Sequence, residues 1–240
     1  MMTFKRIAAI TALGTATLAP GLASADLSGN AGVMSQYLFR GLAQSDGASV
    51  YGGLDYSADS GFYVGTWAAT VNFGGTPNLG DNGSTGAEVD VYAGFSGGDS
   101  ITYDIGAIYY WYSEEDELDQ PDPSYNTIEL YGSLGFGPVA LSGYFAPDTY
   151  FGADDSAYGV YASGSFPLTD VLAFDAAVGL NGGKGNEAFT PDGDSYIEYN
   201  LGVSAGLENG FGFGFSFVAT DIDDDDPKLI VDASYSFDLM

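Results

Sequence analysis

From about residue 26 onward, apolar and polar side chains alternate with a period of two almost without interruption. Near the C-terminus Leu229, Val231, Ala233, Tyr235, Phe237 and Leu239 fall on one face, with Asp232, Ser234, Ser236 and Asp238 on the other. Ile197, Tyr199, Leu201, Val203, Ala205 and Leu207 repeat the pattern against Glu198, Asn200, Gly202, Ser204 and Gly206. Successive side chains of an extended chain point to opposite faces, so this spacing predicts strands with one apolar and one polar face. No segment carries a helical period. The pattern predicts twelve strands, at 29–40, 49–59, 61–73, 86–96, 101–112, 126–136, 139–146, 156–166, 171–180, 195–207, 211–220 and 229–239.

The connections alternate in length. Short turns fall at Asp59-Ser60-Gly61, Gly97-Gly98-Asp99, Gly137-Pro138, Pro167 to Asp170 and Glu208-Asn209-Gly210. Long polar segments fall at 41–48, 74–85, 113–125, 147–155, 181–194 and 221–228. A meander with one tight rim and one elaborated rim has this form, and outer-membrane barrels combine short periplasmic turns with long outer loops. The fold class expected is therefore all-β: an antiparallel up-and-down transmembrane β-barrel of about twelve strands.

Two assignments of the faces are conceivable, and barrel size chooses between them. Twelve strands enclose more space than the Ala and Val of the apolar face can fill, because diameter grows with strand number. Lipid is then expected outside and water inside, with closure satisfying every backbone N–H and C=O. The aromatics agree with two interfacial belts. Tyr63, Phe95, Tyr103, Phe136, Phe166, Phe211 and Phe237 lie near short turns, and Phe39, Phe73, Trp111, Phe145, Tyr158 and Tyr199 toward long loops.

Residues 1–25 read as an export leader. Lys5 and Arg6 precede an apolar run from Ile7 to Ala19, Pro20-Gly21 breaks it, and Ala23-Ser24-Ala25 offers the small residues of a cleavage site. The expected domain is a barrel over 26–240, in the outer membrane of a Gram-negative bacterium, among lipid and lipopolysaccharide. Beyond the leader only Arg40, Lys184 and Lys228 oppose 33 acidic residues, a balance that repels phosphate and excludes nucleic acid as a partner. The chain has no Cys and no His, which removes disulfides, Cys/His zinc sites and Ser-His-Asp or Cys-His catalysis. Inward carboxylate pairs are the one remaining route to catalysis, glycoside hydrolysis, and no cleft signature accompanies them. Asp221 to Asp226 and Glu114 to Asp122 lack the turn glycine and terminal glutamate of an EF-hand loop. No enzyme, cofactor or metal site is expected.

One stretch is more specific. Ser35-Gln36-Tyr37-Leu38-Phe39-Arg40-Gly41-Leu42-Ala43-Gln44-Ser45 resembles the S-x-Y-x-F-R-G-x-S-Q-S motif of the TorF-type porin family, and Gly61-Phe62-Tyr63-Val64-Gly65-Thr66-Trp67 resembles that family's G-F-Y-x-G-x-W stretch. Gln36 and Ala43 depart from the pattern, which usually has Asp and a hydroxyl residue there. The resemblance implies a porin and supplies no substrate.

The residues expected to line the pore are Arg40, Asp55, Glu88, Asp90, Asp104, Glu129, Asp175, Glu198 and Asp232. Acidic rings select cations. Arg40 on the first strand has two readings: a pair with an acidic neighbour such as Asp232 that fixes the closure of the barrel, or a positive element at a constriction. Tyr51, Tyr92, Tyr110, Tyr112, Tyr131, Tyr144, Tyr161 and Tyr196 share the inward face, where they either narrow the lumen or offer stacking surfaces. The function expected is a passive channel for small cationic or neutral solutes. The alternative is a non-conducting structural or adhesive barrel acting through acidic loops. Composition leaves the oligomeric state open.

Overall fold

The computed structural model describes residues 26–72, 85–113, 124–190 and 193–239. The alternating segments form strands β1 (Asp26–Met34), β4 (Ser49–Ser57), β5 (Phe62–Asn72), β6 (Thr85–Gly97), β7 (Ile101–Tyr112), β8 (Thr127–Phe136), β9 (Val139–Ala146), β10 (Ala157–Pro167), β11 (Leu172–Gly182), β12 (Ser195–Gly206), β13 (Phe211–Thr220) and β14 (Lys228–Asp238). These twelve close into one antiparallel barrel, sealed by β1 against β14. Two further strands, β2 (Leu38–Phe39) and β3 (Leu42–Ala43), pair only with each other, away from the wall.

The apolar face points outward. Val203, Leu201, Ile105, Phe215 and Val160 are each more than 40% exposed, whereas Asn200, Glu198 and Tyr196 between them are buried. Burying such a face is the usual driving force of folding, so an exposed one of this extent belongs against lipid. The belts are present in part. Phe95, Tyr103, Phe136, Phe166 and Phe211 near the turns, and Trp111, Phe145, Tyr158 and Tyr199 toward the loops, are exposed. Tyr63 and Phe39 are corrections: both are buried inside the barrel. Phe237 is half-buried, and Phe73 lies outside the described residues.

The polar face is organised by tyrosine lying over glycine. Six inward tyrosines sit directly opposite a glycine of the next strand: Tyr51 with Gly32, Tyr63 with Gly94, Tyr92 with Gly65, Tyr131 with Gly106, Tyr144 with Gly159 and Tyr161 with Gly179. At each of these glycines a Cβ would run into the tyrosine ring. Each ring thus crosses its neighbour strand at backbone height, and several hydroxyls reach one strand further. Tyr51 on β4 crosses β1 to reach Asp232 on β14 at 2.7 Å, and Tyr63 on β5 crosses β6 to reach Asp104 on β7 at 2.7 Å.

The first strand is shorter than its alternation predicts. The wall ends at Ser35, whose N–H donates to Val231 O while its Oγ accepts from Val231 N–H. These bonds finish the ladder, and the chain turns into the lumen. Arg40 (φ 52°) and Gly41 (φ 81°) then form the tip of the β2–β3 hairpin. Positive φ at both central residues is the condition of a type I′ turn.

Candidate functional site: a plugged upper lumen over an acidic vestibule

Burial of the inward face changes along the barrel. Toward the long loops the inward residues Ser49, Glu88, Tyr112, Glu129, Ala146 and Tyr196 are buried. Toward the short turns Asp55, Asp104, Ser133, Ser142, Ser163, Ser204 and Asp232 are half-exposed. The lumen is therefore closed at one end and open at the other.

Two infolded segments make the closure. The first is the hairpin around Arg40. The second is the turn after β9, where Phe151 (φ 43°) and Gly152 (φ 90°) repeat the same two-residue construction between Tyr150 and Ala153, which bond each other in both directions. The two tips meet in the lumen. Phe39 packs edge-on against Phe151 and Tyr110 at 5.3 and 5.6 Å between ring centres, and Phe151 packs on Tyr110 and Tyr112. A short 3-10 helix, Lys184–Ala188, follows β11 and buries Asn186, and Phe189 beyond it meets the Tyr150 ring edge-on.

Arg40 is the centre of this plug. Its two terminal nitrogens each donate to one oxygen of Glu129 at 2.7 Å, a bidentate pair. Its guanidinium lies over the Tyr144 ring, 3.3 Å from the ring centre, and Nη1 also donates to Tyr150 Oη at 2.9 Å. Tyr196 donates to the Arg40 carbonyl at 3.0 Å. Both partners of the ion pair are almost wholly buried, and such pairs hold only where further bonds satisfy them. Glu129 has that help from Tyr110 at 3.2 Å. Glu88 beside it accepts from Tyr37 at 2.6 Å and Tyr112 at 2.5 Å. Gly41 is required here: a Cβ would meet Thr220 Cγ2 at 2.6 Å and Glu198 Cγ at 3.4 Å.

The placement of Arg40 corrects the sequence expectation. Its partner is Glu129, on a strand five positions around the ring from β1, and not Asp232 at the seam. Asp232 instead accepts from Tyr51. The physical reason is the infold, which carries Arg40 off the first strand and across the lumen.

The other expected residues all face inward, and all but Asp175 divide into two sets. Glu88, Asp90, Glu129 and Glu198 lie in the buried upper part around Arg40. Asp55, Asp104 and Asp232 line the vestibule, each accepting from a tyrosine: Tyr92 at 2.5 Å, Tyr63 at 2.7 Å and Tyr51 at 2.7 Å. Asp175 is buried and accepts from Ser204 at 2.7 Å. Most of the tyrosines take the narrowing role, since Tyr110, Tyr112, Tyr144, Tyr161 and Tyr196 are buried. Sequence reasoning missed Tyr37, Tyr150, Phe151 and Asn181, which accepts from both Tyr144 and Tyr161. No local signal marks them: Arg40-Gly41 and Phe151-Gly152 at the two tips have the same form as Tyr131-Gly132 and Tyr158-Gly159 inside wall strands. Among the acidic loops, Asp225 pairs with Lys228 at 2.5 Å, and 114–122 lies outside the described residues.

A family model described as a bacterial protein of unknown function (Gcw_chp) matches residues 19–235. The chain belongs to this family. No curated protein matches it in sequence. Among solved structures the Gcw_chp barrel is similar to a KdgM porin, at 10% identity with a TM-score of 0.55, covering 88% of this chain and 99% of that one. The same porin in complex with disordered oligogalacturonate gives 11% identity and a TM-score of 0.56, with 88% and 99% covered. The COG4313 outer membrane channel from Pseudomonas putida F1 gives 11% identity and a TM-score of 0.51, with 92% and 97% covered. At these identities the likeness is one of fold: a closed antiparallel barrel of the outer-membrane porin kind.

Proposed function

We propose that this Gcw_chp barrel is an outer-membrane channel of a Gram-negative bacterium for small cationic or neutral solutes, exported by a leader that ends at Ala25. The observation that carries the reading is the vestibule. Asp55, Asp104 and Asp232 line a half-open polar lumen, and Arg40, the inward-facing arginine, is already neutralised by Glu129. A low-dielectric wall around one sign of charge concentrates ions of the other sign. The similarity of residues 35–45 and 61–67 to the TorF-type porins is in keeping with this. Oligogalacturonate, the ligand named for the KdgM complex, is a polyanion. An acidic lumen disfavours it here.

The test is a reversal potential across a planar bilayer in a salt gradient. A cation-selective current is expected, strongest at low salt because screening shortens to about 10 Å at 0.1 M. An anion-selective current overturns the reading. The Arg40 plug favours a second reading, a closed barrel that acts through its loops, and the absence of any conductance step would decide for it.

A further inference from the structure

Asp90 lies one inward position below Glu88 on β6, at the boundary between plug and vestibule. In the register it stands between Trp67 on β5 and Tyr110 on β7. It is only 6% exposed, its Oδ1 has no hydrogen-bond partner, and it forms no ion pair. It also lies within electrostatic reach of Glu88 and Glu129. Glu88 has two tyrosine donors and Glu129 has Arg40, whereas Asp90 has neither a donor nor a cation of its own chain; Glu198, whose Oε2 is also without a partner, has Arg40 within electrostatic reach. A buried carboxylate without a counterion or donor is costly.

We propose that Asp90 is the anionic end of a binding site for an organic ammonium ion, entered from the vestibule. The walls select that chemistry. Trp67 packs against Tyr37 at 5.5 Å and Tyr51 at 5.7 Å, and Tyr110 closes the other side. Aromatic faces attract alkylammonium groups, with Trp the best of them. A divalent metal would want about six oxygen ligands, and no group of three or more acidic side chains among the described residues is arranged to hold one. The carboxylate orients the cation and the rings desolvate it. The site rests on the lumen being reachable by solute, and it deepens the channel reading by naming a solute class.

The chain contains two tryptophans, Trp67 beside Asp90 and Trp111 on the lipid face, so Trp111→Phe leaves Trp67 as the sole reporter. In detergent-folded W111F protein, choline should change Trp67 emission saturably, while sodium chloride of equal ionic strength should not. Adding Asp90→Asn should weaken the response about tenfold or more, as expected for loss of a desolvated charge partner. Asp170→Asn, which removes the same charge from an exposed turn, should leave it unchanged. On the unaltered chain, choline should raise the unfolding midpoint, a readout that needs no variant. No saturable change, an equal response in D90N, or a response to calcium chloride at lower concentration than choline would each overturn the site. Binding is read without transport, so a barrel that binds choline but passes no current sinks the channel and keeps the site, and the converse result does the reverse.

Discussion

At the scale of single residues, the inside of the barrel depends on a few exchanges of bulk and charge. Arg40 and Glu129 are both buried, so removing one leaves the other as an unpaired charge in a dry environment. Arg40→Gln should therefore cost about 3–5 kcal/mol in a urea-refolding measurement, and R40Q with Glu129→Gln should recover most of it. A double variant as unstable as R40Q would place the cost in the lost stacking on Tyr144 instead. The tyrosine–glycine pairs make a different demand. A methyl group at Gly179 would fall within contact distance of Tyr161 ring carbons. Gly179→Ala should cost roughly 1–3 kcal/mol through this overpacking, and in a Tyr161→Ala background most of that penalty should vanish. Equal penalties in both backgrounds would locate the strain in the backbone of β11.

At the scale of elements, the strands were legible because their signal is local. A period of two needs only the identities of neighbouring residues, and one face must be apolar wherever a strand meets lipid. The alternation places β7, β9 and β13 at their observed limits and, β1 apart, the others within a few residues of them. It ran the first strand on to residue 40 because Tyr37 and Phe39 keep the alternation going. What holds this segment off the wall is a set of distant partners: Glu129, 89 residues from Arg40, and Glu88, 51 residues from Tyr37. Infolding is decided by such distant pairs, and no local pattern records them. The same holds for Tyr63, whose position near a turn fits a belt but whose hydroxyl bonds Asp104 inside. Within β12, Leu201 is exposed to lipid and Ser204 faces the vestibule. Leu201→Lys should cost roughly 2–4 kcal/mol of folding free energy in bilayers, while Ser204→Lys should be tolerated better. Equal losses at the two positions would contradict the register.

At the scale of the whole molecule, the barrel is asymmetric from end to end, with a plug under the long loops and an acidic vestibule above the short turns. Replacing residues 36–47 by a short Gly-Ser linker should remove half of the plug and raise the size of the current step, with its cation preference kept because Asp55, Asp104 and Asp232 stay in place. An unchanged step after that deletion would mean that the β9–β10 turn alone sets the constriction. The tyrosines that cross glycines have a consequence for the outside. A cask keeps its roundness through hoops, and here the hoops are internal: each ring lies across the neighbouring stave, and those of Tyr51, Tyr63, Tyr92 and Tyr144 are pinned to the one beyond it. With curvature held from within, the outer surface has no shape to defend. Its only obligation is to be oily, so its side chains are free to exchange one for another while the tyrosines and glycines beneath them are not.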